Sequence, residues 1–72
     1  MIIIHCPIQQ EFVLSLFQEP VGDIVYEFVK KEGMKLYFNV TGDVEEAIAK
    51  AKARIKGTEI GAVLYFQITE GN

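Results

Sequence analysis

The chain has one cysteine, Cys6, in 72 residues, so an intrachain disulfide and any fold held by a disulfide framework are excluded. It has one histidine, His5, and one serine, Ser15. Ser15 falls in a helical pattern away from His5, and no Ser-His-acid set can be assembled. G-x-G-x-x-G, P-loop, C-x-x-C and H-E-x-x-H patterns are all missing, and the carboxylates are scattered without a spacing that demands shared acid–base work. The expectation is a protein without enzymatic activity and without a cofactor. No run approaches the roughly 20 apolar residues that span a bilayer. The apolar opening, Met1 to Ile4, passes into His5, Cys6 and Pro7 with no basic flank, so neither a membrane partner nor an export signal is expected. One free thiol then fits a reducing, cytoplasmic setting, and Asn39-Val40-Thr41, formally a glycosylation sequon, reads as strand sequence.

Basic residues are absent from the first 29 positions, which carry Glu11, Glu19, Asp23 and Glu27; every Lys and Arg lies between Lys30 and Lys56. With a net charge of −3 the chain exerts no long-range pull on a phosphate backbone, which argues against nucleic acid as a partner. Half the residues are apolar and about a quarter are charged, the balance of an ordinary globular chain. One domain over 1–72 is expected. A domain this small hides only about 60% of the surface its unfolded chain exposes, so its stability is marginal without a metal or a partner.

Met1 to His5 is a β-branched run suited to a central strand. From Pro7 onward Ile8, Phe12, Val13, Leu16 and Phe17 recur at helical spacing, which predicts a helix opening at Pro7 and running over 8–18, with Pro20 forcing Glu19 out of helical angles. Ile24 to Lys30 and Met34 to Val40 alternate and are joined by Lys31-Glu32-Gly33, a three-residue hairpin loop. That loop pairs Lys30 with Met34, Phe28 with Leu36, Tyr26 with Phe38 and Ile24 with Val40. A second helix runs from Asp43 to Lys56, with Asp43 as N-cap, Val44, Ala47, Ile48, Ala51 and Ile55 as its buried stripe, a Glu46–Lys50 pair, and Gly57 as its stop. Glu59 to Thr69 is predicted as the last strand.

The order strand-helix-strand-strand-helix-strand predicts an α+β, ferredoxin-like βαββαβ sandwich. Its four-stranded antiparallel sheet has the order 4-1-3-2, and both helices lie on one face. The uncovered face is expected to carry Val25, Glu27, Val29, Lys35, Tyr37, Asn39, Val63 and Tyr65. Because that face is half apolar, Val25, Val29, Tyr37, Val63 and Tyr65 are the candidate interface residues. The expected partner is a second copy of the chain, with a protein or small molecule bound in addition.

His5 and Cys6 are the other candidates. A thiol at the N-cap of a helix opening at Pro7 would have its thiolate stabilised, and His5 could assist it in carrying a soft metal. Adjacent strand residues point to opposite faces, however, and two ligands do not complete a tetrahedral site. The element order resembles that of heavy-metal-associated domains, which place two cysteines between the first strand and helix where this chain has Cys6 alone. It also resembles the ACT family of regulatory domains, whose glycine-bearing ligand loop is replaced here by His5-Cys6-Pro7. Both resemblances imply the fold. A third reading places single-stranded RNA on Tyr37 and Tyr65 of the open face.

Overall fold

The computed structural model describes residues 1–71. Its elements are β1 (Ile2–His5), α1 (Gln10–Leu16), β2 (Tyr26–Glu32), β3 (Lys35–Val40), α2 (Val44–Lys56), α3 (Glu59–Val63) and β4 (Gln67–Glu70). The strands form one antiparallel sheet in the order β2-β3-β1-β4, which is the expected 4-1-3-2 read from the other edge. The isoleucine run lies inside the sheet, and β2 and β4 are the outer strands.

Side-chain alternation sorts the two faces. Ile2, Ile4, Leu36, Phe38, Tyr26 and Ile68 are buried in one cluster with Val13 and Phe17 from α1 and its margin, and with Ala47, Ala51 and Ile55 from α2. Phe17 meets the rings of Tyr26 and Phe38 at 4.8 and 5.6 Å between centroids. The Tyr26 hydroxyl donates to the Ala47 carbonyl oxygen at 2.6 Å. Both helices therefore lie against the face that carries Tyr26 and Phe38. The start of α2 follows its sequence signal: the Glu46 amide donates to Asp43 Oδ2 at 3.0 Å, and the Glu46 carboxylate is 3.2 Å from Lys50 Nζ one turn on.

Three local expectations are corrected. The first helix is shorter at both ends, Gln10–Leu16 rather than 8–18, and does not begin at Pro7. A turn occupies residues 6–9: the Cys6 thiol donates to the Ile8 carbonyl at 2.6 Å and Gln10 Nε2 donates to the Cys6 carbonyl at 2.9 Å. Gln9, at φ 60°, stands in the left-handed region at the N-cap position. Cys6 is therefore not an N-cap residue.

The hairpin loop has two residues, Gly33-Met34, not three, and Glu32 faces Lys35 across it. Gly33 takes φ 57°, the positive value that short hairpin turns require. A bulge at Val29 lies between Phe28 and Lys30, so Tyr26 faces Val40, Phe28 faces Phe38 and Lys30 faces Tyr37. Relative to the expected register, Tyr26 and Phe28 are displaced by two residues. That two-residue slip keeps Tyr26 and Phe28 on the covered face, while the bulge moves Lys30 from the covered face, where the expected register put it, to the open one.

The third correction concerns Glu59 to Thr69, of which only Gln67–Glu70 is strand. Thr58 starts α3: its Oγ1 accepts from the Gly61 amide at 2.9 Å and donates to the Ile55 carbonyl at 2.7 Å. Gly61 is buried directly against the Ile55 carbonyl, where a Cβ has no room.

Candidate functional site

The turn over residues 6–9 determines the chemistry available at His5 and Cys6. His5 lies on the face away from the helices, with Nε2 3.0 Å from Thr69 Oγ1. Cys6 is fully buried in the core, and burial pushes its thiol pKa up, opposite to what a reactive thiolate needs. Among the described residues, no group of three His, Cys, Asp or Glu side chains is placed to hold a metal ion.

The five candidate interface residues fall into separate places. Tyr37 is on the open sheet face and lies beneath Lys30, whose Nζ is 4.9 Å from the ring centroid. Lys30 also pairs with Glu32 at 2.9 Å, and the hydrogen bond and charge of Glu32 raise the Lys30 pKa. Val63, 87% exposed, ends α3, and Tyr65, 77% exposed, lies in the connection to β4; neither is on the sheet face where it was expected. Since Val29 is the bulged residue, the open face is mainly polar: Tyr37 stands between Lys30 and Ile3, with His5, Glu32, Lys35 and Asn39 on the same side. A base-stacking platform of Tyr37 and Tyr65 is thus not assembled.

The displaced Tyr65 instead meets the other pair of candidates. A pocket of about 260 Å³ at the end of the sheet is lined by His5, Cys6, Pro7, Met34, Tyr65 and Gln67, with Glu32 and Lys35 at its side. Met34, in the hairpin turn, supplies an exposed apolar wall that sequence reasoning had assigned to a strand pair.

The remaining exposed apolar surface follows β2. After Tyr26 every residue of this outer strand is exposed, and Val25, Phe28 and Val29 retain large apolar areas in water. Phe28 was expected on the covered face. It does lie on that side, with its ring edge-on to Phe38 at 5.7 Å, yet it is 45% exposed. The short α1 leaves a groove of about 300 Å³ beside the strand, lined by Leu14, Phe17, Gln18, Tyr26, Phe28 and Phe38. The length of α1 was the missing signal, because a helix reaching residue 18 would have been expected to shelter Phe28. Compared with family models, curated proteins and solved structures, the chain matches none.

Proposed function

We propose that this chain is a non-catalytic ferredoxin-like interaction domain that self-associates through the β2 edge and, in that form, binds a protein partner or a small ligand. The observation that carries the reading is the coincidence of an outer strand that exposes Phe28 and Val29, preceded by exposed Val25, with an apolar groove alongside. An unpaired strand edge offers main-chain hydrogen bonds, and neighbouring apolar side chains add a desolvation gain. Covering the part of Phe28, Val25 and Val29 that now faces water would contribute on the order of 1 kcal/mol each. A domain of this size gains proportionately more from such burial than a larger one. The pocket at His5, Met34 and Tyr65 is at the other end of the hairpin from Val25 and Val40, so a small ligand could occupy it while the edge is engaged.

Light scattering coupled to gel filtration tests this reading. The expected mass is twice the 8.1 kDa of the chain, returning toward 8.1 kDa in Phe28→Lys. A mass of 8.1 kDa for the unaltered protein up to about 100 μM, where even a weak specific dimer forms, would dispose of it.

A further inference from the structure

The β2 edge carries a charge pattern that selects its occupant. Glu27 faces Asn39, and Lys30 and Glu32 face Tyr37 and Lys35, so these three project on the open side; Tyr26, Phe28 and Lys31 face Val40, Phe38 and Leu36 on the helix-covered side. Antiparallel pairing of two copies of this strand about a twofold axis must bring residues of like side together. An axis through Val29 would oppose Glu27 to Lys31, which lie on different sides, and an axis through Phe28 would oppose Tyr26 to Lys30 with the same conflict. An axis between Val29 and Lys30 matches the sides but sets Glu27 against Glu32 twice. Axes through Glu27 or Lys31 match the sides but set that charge against its own copy, whereas an axis between Phe28 and Val29 matches the sides and sets Glu27 against Lys30 twice.

Backbone alternation agrees with the last arrangement. The Val25 carbonyl accepts from the Thr41 amide toward β3 at 3.3 Å, so the amide and carbonyl of Tyr26 turn outward. Glu32 and Lys35 flank the two-residue turn and bond to each other, so Lys31 turns outward as well. Pairing about the Phe28–Val29 axis opposes Tyr26 to Lys31, two outward-facing residues.

Building on the self-association proposed above, we infer that β2 pairs antiparallel with β2 of a second copy about a twofold axis between Phe28 and Val29, joining the two sheets edge to edge with Glu27 of each copy facing Lys30 of the other. A bulge and two adjacent lysines are features that keep sheet edges from pairing indiscriminately. Lys30 already meets Glu32 of its own chain at 2.9 Å, and a second copy adds Glu27 as a further carboxylate opposite it.

Sedimentation equilibrium in low salt on four proteins tests the register: the unaltered chain, Glu27→Lys, Lys30→Glu and the double exchange. Both positions are exposed, and circular dichroism verifies that each variant is folded. Each single change opposes like charges twice and is expected to raise the dimer Kd at least ~10-fold, while the double exchange returns it to within ~3-fold of the unaltered value. A dimer whose Kd is unmoved by either single change, or is not restored by the exchange, would overturn the register and leave self-association standing. A monomeric unaltered chain would overturn both.

Discussion

The hydroxyl of Tyr26, on the outer strand, donates a 2.6 Å hydrogen bond to the carbonyl oxygen of Ala47 in α2 and so ties the sheet to the longest helix across the core. Tyr26 is buried, with Phe17 against its ring. Tyr26→Phe keeps the ring and removes only the bond. The expected loss is about 1 kcal/mol of unfolding free energy, measured by urea titration. A loss near zero would mean that the bond does not hold α2 in place.

Gly61 packs against the Ile55 carbonyl, and Gly61→Ala cannot be accommodated unless α3 moves away from the end of α2. The expected cost is about 2–4 kcal/mol, large for a single methyl group and traceable to backbone overlap. Thr58→Ala, which removes the side-chain acceptor for the Gly61 amide, should cost about 1 kcal/mol. If Gly61→Ala proved as stable as the unaltered protein in thermal melts, the helical assignment of Glu59–Val63 would fail.

These two sites show what the sequence makes legible and what it does not. The central place of Ile2, Ile3 and Ile4, the Asp43 cap, the α2 stripe and the strand order all follow from patterns that tertiary contacts reinforce. Thr58 and Gly61 did carry a signal, a threonine cap followed by a glycine poorly suited to a strand interior, but alternation of Ile60, Ala62, Leu64 and Phe66 outweighed it. In five residues, alternation and a single helical turn are hard to tell apart. Tyr26 and Phe28 lie on the covered side in either register and so do not reveal the bulge at Val29, whose one trace in the sequence is Lys30, a charge that an unbulged strand would turn toward the core. Among the candidate site residues expected on the open face, Val25 lies just before β2 and Val29 is its bulged residue, and Tyr65 is found beside His5 and Cys6 in a pocket no spacing rule could assemble.

Burial should make Cys6 a slow thiol. At neutral pH, labelling by a small aromatic disulfide is expected to follow opening of the structure, accelerating with urea up to the rate of the unfolded chain. Rapid stoichiometric labelling of the folded protein would return Cys6 to consideration as a carrier residue.

Stability should fall on the alkaline side. Burial, and after it the charge of Glu46, raises the Tyr26 pKa above its ordinary 10.0. Burial likewise raises that of Cys6 above 9.0. The folded protein thus keeps protons that the unfolded chain releases. The stabilisation is complete below the unfolded values and is lost as pH climbs through the folded ones. Urea midpoints should be steady near pH ~7 to 8 and decline from about pH 9 upward, with part of the decline abolished in Tyr26→Phe. A midpoint that holds or rises to about pH 10.5 would contradict the assigned burial.

Most directly at issue is whether copies of the chain meet along β2. A mixed sample of isotope-labelled and unlabelled chains, examined by filtered nuclear Overhauser spectroscopy, reports only contacts between copies. The account predicts cross-copy signals between the Phe28 ring and the Val29 methyl groups. Signals confined to Met34, Tyr65 and Ile8, or none at concentrations where the mass is dimeric, would contradict it.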